Sequence, residues 1–298
     1  MKLLSPRHWL SWIGLGAIWL VARLPFGALV TLGRWLGHIT VRLPGSRRRV
    51  AKRNIDVCFP HLDDAARQNL LHDALANLGM MLVEFSFGWF GSKQAVARVP
   101  VTYTGLEHLE RCRKQGRGVL LVGAHFSHLE LCARLVSQRI VIAGMYRIMD
   151  DVVIERAVLR ARLGYGDMMF NKDEIRRTVK YLKGGGTIWY APDQDMRGKD
   201  NVFVPFFGLQ AATITATHHL ARLSGAAVIP FFHRRRDDYS GYEIRLEPPL
   251  ENFPSDDVIA DTAHVNQSIE AMVREAPAQY LWIHKRFKQR PPGELPPY

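Results

Sequence analysis

The segment GVLLVGAHFSHLEL, residues 118–131, decides how the chain folds, because it joins an unbroken apolar run to a polar, helix-like one. Residues 118–124 carry no charge, as expected of a strand with both faces buried in a parallel sheet. His125 then stands at the carboxyl end of that strand, the edge at which open α/β sheets bind their ligands. The segment therefore predicts a buried strand followed directly by a functional position.

On both sides of this segment, apolar β-type runs alternate with helical patterns. The β-type runs are residues 101–105, 118–124, 140–146, 187–191, 201–206 and 226–232. The helical patterns are residues 63–88, 106–115, 128–138, 151–163, 173–183, 213–224 and 258–275. Such alternation is typical of an α/β fold with a mainly parallel sheet flanked by helices. Residues 242–246 are predicted as a late edge strand, and residues 54–60 as a turn-like link.

The composition describes a folded chain with a basic surface. Among 298 residues, 47% are hydrophobic and 23% are charged, which excludes a disordered protein and allows a large core. The net charge of +12 favours an anionic partner, either a nucleic acid or a membrane and its lipids. Three scattered cysteines without a C-x-x-C pair exclude a disulfide framework and indicate a reducing compartment.

The first forty residues predict a membrane-anchoring segment. Residues 9–37 carry two charges, Arg23 and Arg34, and four tryptophans. Residues 10–33 provide the roughly 20 apolar residues of a spanning helix, although Pro25 divides them. The alternatives are a helix lying in the membrane interface, a cleaved signal peptide and a buried core helix. A signal peptide lacks its A-x-A-like site here, and four tryptophans are unusual for a soluble amphipathic helix.

Residues 42–53, RLPGSRRRVAKR, indicate the orientation of that segment. They hold six positive charges and no negative one, so the positive-inside rule places them in the cytoplasm. The same charges suit anionic headgroups, and a solvated loop or a nucleic-acid arm is the alternative. The predicted division is an N-terminal membrane-anchoring segment at residues 1–40 and a cytoplasmic domain at residues 41–298.

His125 and Glu130 are the best local candidates for chemistry. A carboxylate five residues away can accept a hydrogen bond from one imidazole nitrogen and leave the other as a base for a hydroxyl proton. Spacing alone favours the plainer alternative, a histidine that caps or packs at a helix start. His128 is a rival base or metal ligand, although a metal needs more ligands than this segment offers. The dinucleotide, P-loop, serine-hydrolase and zincin motifs are absent from the sequence.

Several dispersed blocks resemble the late acyltransferases of lipid A biosynthesis, the lauroyl and myristoyl transferases. His125 and Glu130 match the H-x4-D/E signature of glycerolipid and lipid A acyltransferases. The blocks follow the family's order along nearly the whole chain: NIDVCFP (54–60), GAHFSHLEL (123–131), GMYR (144–147), TIWYAPDQD (187–195), VFVPFFG (202–208), AAVIPFF (226–232) and YLWIHKRFK (280–288). Several blocks in the right order are more specific than any one of them.

The resemblance implies a glycerolipid acyltransferase-like fold and an acyl transfer reaction. A fatty acyl group would pass from acyl carrier protein to a hydroxyl of a 3-hydroxyacyl chain on a lipid A precursor of the Kdo2-lipid IVA type. His125 would act as general base with Glu130, without a covalent intermediate, a cofactor or a metal. The implied location is the bacterial inner membrane with its lipids, and no nucleic acid is expected as a partner. Residues 284–288 would meet the acidic carrier protein or phosphate, or form a solvated basic end.

The resemblance also implies substrate-binding residues. Arg147 follows a strand and suits a phosphate or carboxylate of the acceptor, with an ion-paired surface arginine as the alternative. Asn171, Lys172 and Arg176 lie at a helix entry that suits an anion, and a cap with a solvated helix face explains them equally well.

Asp193 and Asp195 end a strand in a proline-containing turn and would orient sugar hydroxyls or Arg147. Two departures from the family pattern bear on this prediction. Gln194 replaces the histidine between the aspartates, and Ile148 replaces the proline after Arg147.

Two other functions stay open on the sequence. The same chemistry could act on another glycolipid, a lysophospholipid or an ornithine lipid, although the NIDVCFP and YLWIHKRFK blocks favour lipid A. A basic membrane-bound nucleic-acid or adaptor protein is the alternative from another class, but no nucleic-acid motif is present. The sequence does not give the acyl chain length, which groove depth sets, or the acylated hydroxyl.

Overall fold

A computed structural model describes residues 3, 5–42, 44–195 and 201–298 of the chain. The helices are α1 Trp9–Val21, α2 Phe26–Arg42, α3 Ser46–Cys58, α4 Asp64–Phe90, α5 Lys93–Ala97, α6 Leu106–Lys114, α7 Leu129–Val136, α8 Val152–Leu163, α9 Ile175–Lys183, α10 Ala216–Ser224 and α11 Val258–Glu275. The strands are β1 Val101–Thr104, β2 Val119–Val122, β3 Ala143–Tyr146, β4 Met169–Asn171, β5 Thr187–Tyr190, β6 Asn201–Phe206, β7 Leu209–Ile214, β8 Ala227–Arg235 and β9 Tyr242–Leu246.

Seven strands form one mainly parallel sheet in the order β1-β9-β8-β2-β5-β3-β4. Strands β8, β2, β5, β3 and β4 run parallel, while β9 is antiparallel to β8 and parallel to β1. The predicted helix-flanked parallel sheet is confirmed. Residues 242–246 lie between β1 and β8, so their prediction as an edge strand is wrong. Strands β6 and β7 form a separate antiparallel pair, and β4 and β7 were not predicted.

Strand β2 lies at the centre because both of its faces are covered. Leu120 and Val122 join one core cluster, while Val119 and Leu121 join a second cluster on the opposite face. All four side chains are buried, which explains the unbroken apolar run in the sequence. Helix α4 contributes to both clusters and begins at a cap, where the Asp63 carboxylate accepts the N–H of Ala66 at 2.7 Å.

The N-terminal segment forms two helices separated at Pro25, where the sequence predicted a break. Helix α2 packs closely along α4, and a β-carbon added at Gly79 would lie 2.1 Å from the backbone nitrogen of Gly37. The tryptophans of α1 and α2 are exposed at 42–60%. No helix within the described part of the chain combines the length and apolarity needed to cross a bilayer. The anchor and the division at residues 40 and 41 therefore stay predictions.

The basic run continues directly into a helix, so the prediction of a turn-like link at residues 54–60 is wrong. Helix α3 carries the basic residues from position 47 onward and ends at Cys58. Its buried positions recur at helical spacing, which the surrounding arginines obscure in the sequence. They are Val50, Ala51, Asn54, Ile55 and Cys58.

Candidate active site

The candidate site forms where the neighbouring parallel strands β2 and β5 end. Their last residues, Val122 and Tyr190, are partners in register, so the following segments leave the sheet side by side. His125 comes three residues after the first, and Asp193 comes three residues after the second. The register of the sheet therefore brings His125 and Asp193 together at its carboxyl edge.

Asp193 holds His125 through both of its carboxylate oxygens. Oδ1 lies 2.5 Å from the ring Nδ1, and Oδ2 accepts the backbone N–H of His125 at 2.9 Å. The Asp193 side chain is fully buried, whereas that of His125 is 26% exposed. Because Nδ1 faces the carboxylate, Nε2 is the ring nitrogen available to a substrate.

The two groups shift each other's pKa toward the ionised pair. Burial alone would raise the pKa of Asp193, but the charge of His125 and its hydrogen bonds lower it to about 2. Burial would lower the pKa of His125, yet the charge and hydrogen bond of Asp193 outweigh burial and raise it. The charge of Glu130 acts in the same direction as Asp193. The site is therefore suited to holding a proton on the imidazole.

Glu130 does not orient the His125 ring, so that part of the prediction is wrong. The buried Glu130 carboxylate accepts a hydrogen bond from Trp89 Nε1 at 2.7 Å and forms an ion pair with the Arg162 guanidinium. The physical reason is a turn between His125 and the start of α7 at Leu129, which means that the five-residue spacing does not follow one helix. Glu130 faces α4 and α8, and it fixes Arg162 there.

A cavity of about 190 Å³ adjoins His125. Its lining is mostly apolar and includes Leu129, Ala133, Ile142, Met145, Met169 and Trp189. The polar lining residues include His125, Glu130, Arg147 and Arg162. An apolar chain could therefore occupy the cavity with its reactive end beside the imidazole.

The predicted anion-binding residues lie at the same edge of the sheet, at different distances from His125. Arg147 follows β3 and lines the cavity, with a side chain that is 75% exposed. Asn171 ends the adjacent β4, and Lys172 follows it with its ammonium 2.8 Å from Asp173. Arg176 is exposed in the first turn of α9. The last three residues lie outside the cavity lining, and their binding roles stay predictions.

The two aspartates of the DQD turn have structural partners that the sequence did not indicate. Asp193 is engaged with His125, and Asp195 accepts the backbone N–H of Gln289 at 2.8 Å together with its side-chain amide. Asp195 thus anchors the C-terminal segment. The predicted role of the two aspartates in orienting sugar hydroxyls or Arg147 stays a prediction.

His128 lies in the core behind the site. Its ring groups with Cys132 and His233, whose possible ligand atoms all lie within 4.8 Å of one another, and the three side chains are fully buried. Burial, followed by the charges of His233 and Arg235, holds the pKa of His128 well below its usual range. Because the His128 imidazole is buried and neutral, it is not placed to serve as a rival base. Its ring lies beside Cys132 and His233 rather than beside His125, with which it was predicted to pair.

Sequence reasoning missed Arg162, Trp89 and the part played by Tyr280. Arg162 belongs to α8, 32 residues from its partner Glu130, and resembles the other basic residues of that helix. Tyr280 hydrogen-bonds the Asp193 carboxylate. The only sequence signal for a functional role of Tyr280 was its position in the YLWIHKRFK block.

Residues 1–289 match the family described as bacterial lipid A biosynthesis acyltransferase. The chain belongs to this family. The lipid A biosynthesis lauroyltransferase of Escherichia coli (strain K12) is 39% identical over 292 residues, covering 98% of this chain and 95% of the relative. The lipid A biosynthesis palmitoleoyltransferase of the same strain is 38% identical over 294 residues, with the same coverage. The crystal structure of a 1-acyl-sn-glycerophosphate acyltransferase from Thermotoga maritima has a TM-score of 0.38 and 14% identity, covering 78% of this chain and 99% of that one.

Membership makes the protein an acyltransferase of lipid A biosynthesis and confirms the family expected from the sequence blocks. The two E. coli relatives are nearly equally similar to this acyltransferase, but their names specify different acyl groups.

Proposed function

We propose that this acyltransferase moves a fatty acyl group from acyl carrier protein to the hydroxyl of a 3-hydroxyacyl chain on a lipid A precursor of the Kdo2-lipid IVA type. The observation that carries the proposal is the accessible His125 imidazole, oriented by a buried carboxylate beside an apolar cavity. Such a base suits a hydroxyl proton, and such a cavity suits an acyl chain. The names of the relatives supply the acceptor class.

The reaction needs one proton acceptor and no covalent enzyme intermediate. His125 Nε2 takes the hydroxyl proton while the hydroxyl oxygen bonds to the thioester carbonyl carbon. The carbonyl electron pair moves onto its oxygen and forms a tetrahedral oxyanion. When the carbonyl re-forms, the carbon–sulfur bond breaks, and the imidazolium gives its proton to the departing thiolate. Asp193 stabilises the imidazolium between these steps.

Glu130 contributes to this mechanism as a positioning residue. Its carboxylate fixes the Arg162 guanidinium at the cavity wall, and its charge favours the protonated form of His125. A preorganised cation at this wall reduces the free-energy cost of negative charge that develops during transfer. In this proposal Asp193 makes the direct hydrogen bond to His125, and Glu130 acts through Arg162 and through its charge.

Basic residues along the sheet edge suit the phosphates of the acceptor. Arg147 lines the cavity with an exposed guanidinium, which can bind a phosphate through two hydrogen bonds. Asn171, Lys172 and Arg176 continue this edge beyond the cavity. In this arrangement, the acyl chain enters the cavity and the acceptor headgroup lies across its mouth.

The N-terminal helices support a location at the cytoplasmic face of the bacterial inner membrane. Exposed tryptophans on α1 and α2 suit the headgroup region, and the basic α3 suits anionic lipids. Ser11 of α1 donates a hydrogen bond to Asp151 at the start of α8, the helix that carries Arg162. We expect fractionation with the inner membrane, and high periplasmic activity of a carboxyl-terminal alkaline phosphatase fusion would contradict this orientation.

The direct test combines purified protein, lipid A precursor and acyl carrier proteins loaded with several chain lengths, with products measured by mass spectrometry. Wild type should acylate the precursor, and His125→Ala should reduce transfer by about 10²–10⁴-fold while remaining folded. His264→Ala, at an exposed position of α11, is the matched control. Near-normal transfer by His125→Ala at normal thermal stability would refute the mechanism.

A further inference from the structure

Two sequence blocks that the proposed mechanism does not use meet beside His125. The NIDVCFP block begins with Asn54 in α3, and the YLWIHKRFK block contains Trp282 and His284. The fully buried Asn54 amide donates to the Trp282 carbonyl at 2.6 Å and to the His284 carbonyl at 2.7 Å. Its side-chain oxygen accepts a hydrogen bond from the Tyr298 hydroxyl. Asn54 therefore uses both its amide donors and its carbonyl oxygen to hold the C-terminal segment.

The same segment is fastened to the backbone around His125. The N–H of Leu281 donates to the His125 carbonyl at 3.0 Å, and the N–H of Ser127 donates to the Gln279 carbonyl at 2.8 Å. Residues 126 and 280 form an antiparallel bridge. These contacts fix the chain on both sides of the base, independently of any substrate.

The result is a second imidazole facing the base. The ring centres of His125 and His284 are 6.3 Å apart, with the planes tilted by 53°. The His284 side chain is only partly exposed. Burial first, and then the positive charge of His125, lowers the pKa of His284. The second ring therefore remains neutral when the first accepts a proton, and a neutral imidazole retains an N–H to donate.

We propose that His284 donates its ring N–H to the carbonyl oxygen of the acyl thioester and stabilises the oxyanion, with Asn54 as the positioning residue for His284. The inference rests on the function proposed above. His284 lies outside the cavity lining, but its ring centre is 6.3 Å from that of His125, which lines the cavity, so it is near enough to meet the carbonyl oxygen of a thioester whose chain fills the cavity. The separation of the rings leaves space for a tetrahedral carbon whose two oxygens each form a hydrogen bond of about 2.8 Å.

In this arrangement the two histidines have different roles, because only His125 transfers a proton. His125 takes the hydroxyl proton and later returns it to the thiolate. His284 neither gains nor loses a proton, because it shares its N–H with the oxyanion only while the tetrahedral intermediate exists. Since that hydrogen bond strengthens as negative charge develops, its loss should reduce kcat more than it changes KM.

The test measures kcat, KM for donor and acceptor, the pH profile and the thermal midpoint of full-length variants. His284→Ala should lower kcat by about 10²–10³-fold with little change in either KM. His284→Gln keeps an N–H donor and should recover part of that loss. The acid limb of the pH profile should keep its midpoint in both variants, because His125 still supplies the base. His264→Ala should behave as wild type.

Asn54 is tested by its coupling to His284. Asn54→Ala should lower kcat, and adding it to His284→Ala should cause little further loss, because the two residues act as one unit. The inference would be overturned if His284→Ala kept the wild-type kcat or changed only KM. It would also be overturned if His284→Gln were no more active than His284→Ala. Equal transfer by wild type and His125→Ala would instead reject the proposed function, so the two failures are distinguishable.

Discussion

Replacing Asp193 with asparagine tests whether Asp193, as in the structure, or Glu130, as the sequence suggested, is the carboxylate that orients His125. The amide keeps the shape of the side chain but removes the charge that stabilises protonated His125. It also changes the hydrogen bonding, because an NH2 group can face Nδ1 and favour the wrong tautomer. Asp193→Asn should therefore impair transfer even though Asp193 itself touches no substrate in the proposed mechanism.

The size of the charge effect follows from the pKa of Asp193. A fall from 3.8 to about 2 corresponds to about 2 kcal/mol of stabilisation of the ionised pair. Losing that stabilisation in the transition state slows transfer by roughly 30-fold. The change of tautomer adds to this loss, so we expect an overall reduction of about 10²–10⁴-fold.

The pH dependence has a defined sign. Transfer requires neutral His125, so activity falls as the pH drops through the raised pKa of this residue. Without the Asp193 charge that pKa falls, and the midpoint of the acid limb of kcat/KM should move to lower pH. The ionised pair contributes to the free energy of unfolding above about pH 4, and that contribution is lost as the pH falls to about 2 or rises through the raised pKa of His125. Asp193→Asn should flatten this dependence.

The assay compares Asp193→Asn with Glu130→Gln, using saturating acyl carrier protein donor, a pH series and thermal midpoints in one detergent. The structure predicts the larger loss and the larger shift of the acid limb for Asp193→Asn. An unshifted acid limb in that variant, or a larger loss of kcat in Glu130→Gln at equal stability, would refute the assignment of Asp193 as the orienting group.

Three further changes probe other parts of the molecule. Glu130→Gln should cost less than His125→Ala, and its defect should largely coincide with that of Arg162→Ala in a double-mutant cycle, since the carboxylate acts through that guanidinium. Arg147→Ala should raise KM for the acceptor more than KM for the donor, and unchanged acceptor saturation would contradict a phosphate-binding role. Gly79→Ala should lower the thermal midpoint, with a cost of about 1–3 kcal/mol from overpacking against α2, whereas Gly14→Ala, which meets no atom within 4 Å, should not.

Local sequence patterns predicted the centre of the fold and failed at its margins. Strands β2 and β5 have unbroken apolar runs because helices or other core elements cover both faces. Strand β6 has a similar apolar run but pairs with β7 outside the main sheet. The periodicity of the sequence does not distinguish a strand of the main sheet from a strand of this separate pair. Strand β4 is only three residues long, too short to produce a pattern.

The candidate site was only half predictable for a related reason. His125 could be found because it follows a recognisable strand. Its partner Asp193 lies 68 residues away and reaches the ring through the pairing of β2 with β5, which no local spacing encodes. Glu130 was the nearer carboxylate in sequence, but a turn before α7 directs it elsewhere. Resemblance to a family identified the right blocks without assigning the contacts between them.

The hydrogen bonds of Asn54 have a consequence for the time at which the molecule becomes competent. Its partners Trp282, His284 and Tyr298 lie 228, 230 and 244 residues further along the chain. Contacts across such separations close long loops in the polypeptide, and each can form only after its C-terminal partner has left the ribosome. A nascent chain therefore holds the strands that carry His125 and Asp193 before it can secure the segment beside them. Docking of this C-terminal segment, rather than folding of the sheet, is the event that assembles the whole site.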